Sequence, residues 1–124
     1  MLYVYPEGTA ARVVQRYRAP YPDPIAVRTG DPVTVDPSCT TDVVGWVWCI
    51  GPDGRSGWTP VAWIDRSRTP WRMRRDFDAA ELTVEAGDGV RPLFAESGFV
   101  WCAHAGQEGW LPDGVLQLLP PGGP

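Results

Sequence analysis

Seven tryptophans, four tyrosines and three phenylalanines stand against one histidine and three cysteines in 124 residues. Aromatic surface is therefore the chemistry most on offer, ahead of proton transfer or metal binding. His104 lies near a predicted hairpin turn around Ala105-Gly106-Gln107, with no conspicuous Ser, Cys or carboxylate partner, and reads as a surface residue rather than a general base. Cys39, Cys49 and Cys102 form an odd set without CxxC spacing or a paired histidine, so neither a disulfide framework nor a metal site is expected. No nucleophile–base pair, metal cluster or phosphate-binding loop is visible. The expectation is a chain that is not an enzyme and needs no cofactor.

The aromatics fall into a pattern that places them on strands. In Trp46-Val47-Trp48-Cys49 the strand period of two puts both tryptophans on one face and Val47 with Cys49 on the other. Phe99-Val100-Trp101-Cys102 has the same form. If Cys49 and Cys102 are small core residues, Trp48 and Trp101 must face outward, where bare tryptophans are seldom left. The expectation is that the other copy of the motif, or Trp71, covers them.

The match between those segments is part of a longer one. Gly30-Asp31, Gly45-Trp46-Val47-Trp48-Cys49 and Gly57-Trp58-Thr59-Pro60 return in order as Gly87-Asp88, Gly98-Phe99-Val100-Trp101-Cys102 and Gly109-Trp110-Leu111-Pro112. The offset drifts only from 57 residues (Asp31 to Asp88) to 52 (Pro60 to Pro112), which implies a duplicated unit with small gaps in its loops. Fourteen Gly and fourteen Pro punctuate short runs rich in Val, Trp and Thr, the pattern of an all-β chain. Expected strands lie at 11–17, 31–36, 45–50, 57–60 and 63–64, and again at 72–77, 88–94, 99–104, 109–112 and 116–117, with an extra short strand within 1–6. Two five-stranded small barrels in tandem follow, since closure limits exposed strand edges. The expected boundaries are 1–65 for the first barrel with its short N-terminal extension, 66–70 for a linker, 71–119 for the second barrel and 120–124 for a flexible tail. The first core is expected from Val13, Ile25, Val27, Val33, Val35, Cys49 and Ile64. The second is expected from Met73, Leu82, Val84, Val90, Cys102, Leu111 and Leu116.

Composition narrows the partners. Hydrophobic residues at 44% and charged ones at 21% are ordinary for a globular chain. The net charge of −4 argues against a phosphate backbone as the partner, although Arg66-Ser67-Arg68 and the run 72–75 form a local basic patch; all eleven basic residues are arginine. No charged-then-apolar leader opens the chain and no apolar run approaches twenty residues, so a cytoplasmic protein without a membrane span is expected.

These segments resemble two Src-homology-3 (SH3) domains in tandem, of bacterial type. Such domains open on an ALYDY-like segment, matched by Arg74-Arg75-Asp76-Phe77-Asp78-Ala79 and more loosely by Val14-Gln15-Arg16-Tyr17-Arg18-Ala19. They continue through a Gly-Asp/Glu turn, here Gly30-Asp31 and Gly87-Asp88, to a Gly-aromatic-x-Pro close, here Gly57-Trp58-Thr59-Pro60 and Gly109-Trp110-Leu111-Pro112. The resemblance implies a peptide groove of Tyr17, Trp46, Pro60 and Trp63 on the first repeat, with Gln15 where an aromatic is expected. On the second it implies Phe77, Phe99 and Pro112, with Arg75 and Val115 in aromatic places, and Glu81 as the acid that meets a ligand Arg.

Aromatic shelves suit polyproline because that helix is already extended and loses little entropy on docking. The function this implies is protein–protein interaction through an extended, proline-containing segment bound mainly on the first repeat. The alternative is an accessory or structural subunit whose barrels pack on a larger protein, with these aromatics serving only to hold small barrels closed.

Overall fold

The computed structural model describes residues 2–120. These form β1 (Tyr3–Val4), β2 (Ala11–Val13), β3 (Ala26–Val27), β4 (Pro32–Val35), β5 (Trp46–Ile50), β6 (Ser56–Pro60) and β7 (Ile64–Asp65). They continue with β8 (Trp71–Met73), β9 (Phe77–Asp78), β10 (Gly89–Glu96), β11 (Phe99–His104), β12 (Gln107–Pro112) and β13 (Leu116–Leu118). Two single-turn 3-10 segments, Val61–Trp63 and Asp113–Val115, complete the set, and the chain is all-β, with no α-helix among the described residues. The tail expected at 120–124 lies, from residue 121 onward, outside the described residues.

The punctuation is that of the sequence motifs. Asp31 and Asp88 close matching turns: the Asp31 Oδ2 accepts the Arg28 N–H at 2.9 Å, and the Asp88 Oδ2 accepts the Glu85 N–H at 2.9 Å. Gly30 (φ 86) and Gly87 (φ 96) occupy the left-handed position those turns require. The hairpin turn at residues 51–54, where Gly, Pro and Asp cluster, closes with a bond from the Gly51 N–H to the Arg55 carbonyl, 2.9 Å. Between β11 and β12, Ala105 (φ 49) and Gly106 (φ 80) make a two-residue turn of the kind that matches strand twist. Ser97 and Gly98 do the same between β10 and β11, where the first repeat spends residues 36–45. That loop difference accounts for most of the drift between the copies.

Pairing between strands departs from the expected boundaries. Contacts divide the chain into a contiguous unit, residues 21–80, and a discontinuous one, residues 2–20 with 81–120. The strand orders are β6-β5-β4-β8-β7 in the first and β12-β11-β10-β2-β13 in the second. The two orders are the same once each strand is replaced by its counterpart in the other repeat. Within each sheet, however, the opening strand comes from the other copy. β2 pairs with β10 and β13, while β8 pairs with β4 and β7. The halves of the long loop are exchanged as well: β9 pairs with β3, and Tyr17 bridges Val84. Residues 66–70 therefore do not link two barrels; they join the neighbouring antiparallel strands β7 and β8 inside one unit, and chain passes between units at 20–21 and 80–81. Two physical terms favour this. A five-residue connection pairs adjacent strands at small closure cost. And Ala11-Arg12-Val13 and Trp71-Arg72-Met73 share one outward arginine and one fully buried third residue, so either fits the same slot.

In the discontinuous unit the core is Ala11, Val13, Leu82, Val84, Val90, Val100, Cys102, Leu111 and Val115, with Tyr5, Tyr17, Ala95 and Leu116 packed against it. β1 adds to its sheet by pairing with β10, as the short opening strand expected within 1–6. In the contiguous unit Ile25, Val27, Val33, Cys49, Ile64, Met73 and Phe77 are buried. Val13 and Met73 are thus core residues in the unit opposite to the one expected, a direct result of the exchange, and Val35 and Leu116 are only half-buried. Trp48 and Trp101 face away from the cysteines as alternation requires, but aromatics of their own unit cover them. Trp48 lies edge-on to Trp58 at 5.1 Å and to Tyr21 at 5.2 Å. Trp101 stacks on Phe94 at 6.1 Å, meets Trp110 at 5.4 Å and donates its indole N–H to Glu108 at 2.9 Å. Trp71 carries instead the guanidinium of Arg66, 5.9 Å from its ring.

Candidate functional site

The eight candidate residues fall into two sets of four, each drawn from both repeats. In the contiguous unit Trp46 and Pro60 face each other across β5 and β6. The 3-10 turn supplies Trp63, and β9 brings Phe77 to 6.4 Å from Trp46 and 5.6 Å from Trp63. Phe77 thus joins the first repeat's aromatics, not those of the second. All four are buried, with Trp46 only 9% exposed. The guanidinium of Arg75, in a place where the resemblance expects an aromatic, lies 4.4 Å from the Trp63 ring. This set has the character of a core wall.

The second set is more open. Tyr17 is held by two backbone bonds with Val84, at 3.0 and 2.8 Å, and the Ala19 N–H reaches the Thr83 hydroxyl at 3.0 Å. That ladder carries the Tyr17 hydroxyl to the Glu81 carboxylate, to which it donates a hydrogen bond. Glu81 in turn bridges the backbone of Trp110, and the Leu82 N–H bonds the Trp110 carbonyl at 3.1 Å. Phe99 faces Pro112 across β11 and β12. Tyr17, Glu81, Phe99 and Pro112 are all half-buried. Burial raises the Glu81 pKa above the ordinary carboxylate range, and the Tyr17 hydrogen bond works against that rise. The Tyr17–Glu81 pairing joins residues 64 apart, one from each repeat; only the exchange of opening segments brings them together.

Trp110, which the sequence reading did not select, is the residue that anchors Glu81. Its signal was its equivalence to Trp58 in the duplicated Gly-Trp pair.

The remaining chemical groups are structural. His104 has a carboxylate neighbour after all: its Nε2 lies 3.6 Å from the Asp88 Oδ2, and its Nδ1 lies 3.1 Å from the Gly89 carbonyl. Asp88 is already committed to its turn, so the pair serves the fold. Burial raises the Cys49 thiol and pushes the Cys102 thiol up to about 12, which keeps both protonated and unreactive. Among the described residues no group of three His, Cys, Asp or Glu is placed to hold a metal ion, and no helix is long and apolar enough to cross a membrane.

A family model described as Variant SH3 domain matches residues 10–64, the first repeat as read along the sequence. No curated protein and no solved structure matches the chain. The matched stretch is divided by the fold, residues 10–20 lying in the discontinuous unit and 21–64 in the contiguous one. SH3 domains are in general non-enzymatic protein-interaction modules, and over residues 10–64 this chain is similar to them.

Proposed function

We propose that this chain is a protein-binding module that docks an extended, proline-containing segment on the discontinuous unit, at Tyr17, Glu81, Phe99 and Pro112. The observation that carries this reading is the hydrogen-bonded Tyr17–Glu81 pair, half-buried in the same unit as the facing Phe99 and Pro112. Rings and a proline offer apolar slots to a polyproline helix, which arrives already extended. The Glu81 carboxylate receives a ligand arginine, and that charge favours its ionised form against burial. A micromolar complex corresponds to about −8 kcal/mol, the modest strength such shallow sites reach.

The test is an NMR titration of the labelled full chain with Arg-flanked proline-rich peptides. It follows the ring signals of Tyr17 and Phe99 and the indole N–H of Trp110. Saturable shifts at these rings, with binding weakened about tenfold by Glu81→Gln (roughly 1.4 kcal/mol), are expected. Rings that stay silent in a folded sample sink the proposal. The burial of Trp46, Pro60, Trp63 and Phe77 favours a second reading, that the contiguous unit serves as an accessory subunit packing on a larger folded protein. Co-purification of such a partner with silent rings is the outcome it requires.

A further inference from the structure

Five of the eleven arginines lie between residues 66 and 75: Arg66, Arg68, Arg72, Arg74 and Arg75. The β7–β8 hairpin and the residues just after it therefore concentrate positive charge on a chain of net charge −4. All five side chains are exposed. Two of the six arginines elsewhere are spent on acids: Arg55 pairs with Asp53 at 2.8 Å and Asp23 at 3.1 Å, and Arg16 with Glu85 at 3.6 Å. Among the described residues, none of the five in the strip forms a salt bridge.

Four of the five are held by weaker contacts that leave most donors unused. The Arg72 Nη1 donates to the Gly30 carbonyl at 2.9 Å, and the Arg74 Nε to the Ile64 carbonyl at 3.2 Å. Arg66 and Arg75 rest over Trp71 and Trp63. A recess of about 360 Å³ opens at the hairpin, lined by Asp65, Arg68, Thr69, Pro70 and Arg72. Asp65 offsets one of the two arginines in the lining, which leaves the recess with an excess of one positive charge. The Asp65 Oδ1 accepts the Ser67 N–H at 2.9 Å and the Ser67 hydroxyl at 2.7 Å, which shapes the loop. A guanidinium fixed on a carbonyl or a ring, with several N–H groups unspent, is prepared for a carboxylate at little entropic cost.

We infer that the β7–β8 hairpin docks an acidic protein segment, one carboxylate of which enters the recess lined by Arg68 and Arg72. Charge complementarity selects this occupant over nucleic acid. The contiguous unit carries seven arginines but eight aspartates in residues 21–80, a net charge of −1. A long phosphate backbone would have to extend past the strip over a unit whose net charge is negative, whereas a short Asp- or Glu-bearing segment needs only the strip itself. The hairpin belongs to the contiguous unit and is independent of the site proposed on the discontinuous one.

The test uses the full chain, a fluorescent six-residue Glu/Asp peptide and a single-stranded oligonucleotide of equal charge, read by anisotropy at low salt. Saturable peptide binding that weakens with salt, and that falls at least fivefold in Arg68→Ala and in Arg72→Ala, is the expected result. Arg68→Ala guards against misfolding, because among the described residues the exposed Arg68 side chain makes no hydrogen bond; Arg12→Ala, on β2, should bind as the parent does. Equal affinity of parent and Arg68→Ala overturns the inference, and so does an oligonucleotide that outcompetes the peptide.

Discussion

At the scale of single residues, Glu81 concentrates the chemistry of this protein. Its folded-state pKa is raised by burial, so the stability it contributes is fully present below its unfolded pKa and is lost as pH rises through the folded one. Asp65 and Asp76 behave in the opposite sense. Hydrogen bonds from Ser67 and Thr29 lower their pKa values, and their contributions are lost as pH falls. Glu81→Gln, whose amide oxygen still accepts from Tyr17, should remove the decline above the carboxylate range and leave the acid-side loss in place. Urea midpoints measured across a pH series check this; superimposable curves for parent and variant would refute it. The type of residue at this site was legible in the sequence, because an acid in the long loop is what the SH3 resemblance calls for. Its partner was not legible, since Tyr17 precedes it by 64 positions and belongs to the other repeat.

At the scale of strands and turns, packing between elements is tight where glycine stands in β6. A Cβ at Gly57 would lie 3.1 Å from the Ile25 Cγ2 and 3.4 Å from the Ala79 Cβ. Ile25 is completely buried and cannot move aside cheaply. Gly57→Ala should cost about 1–3 kcal/mol, read as a lowered denaturation midpoint at unchanged m-value. An unaltered midpoint would mean that the segment before β3 is loose. Turn chemistry made these elements readable in advance: the paired Gly-Asp turns and both distal hairpins sit where their residues place them. Strand alternation likewise turned Cys49 and Cys102 inward. The pairing of β2 and β8 was hidden for a physical reason. Two opening strands of the same pattern carry no information about which sheet each enters, and loop closure at 66–70 decides it. The same ambiguity sent Phe77 to the Trp46–Trp63 wall and Tyr17 to Glu81.

At the scale of the whole chain, the contiguous unit is a complete set of paired strands cut out of the middle of the sequence. A fragment of residues 21–80 should therefore fold alone and show dispersed amide signals. A fragment of residues 1–65, the unit suggested by reading along the chain, lacks β8 and β9 and should not. Dispersion in the second fragment but not the first would reverse the assignment of strands. The family match covers residues 10–64, whereas the contiguous folding unit covers residues 21–80, so the two are offset along the chain.

The discontinuous unit receives chain from both ends, with β2 lying beside β13. Tension applied across the molecule is carried through that pair and through the Tyr17–Val84 bridge. The contiguous unit, inserted between residues 20 and 81, stays off the load path until the sheet of the discontinuous unit tears. Connectivity thus imposes an order of mechanical failure that relative stability cannot change: the discontinuous unit yields first, and only then does force reach the 60 residues inserted between its two segments.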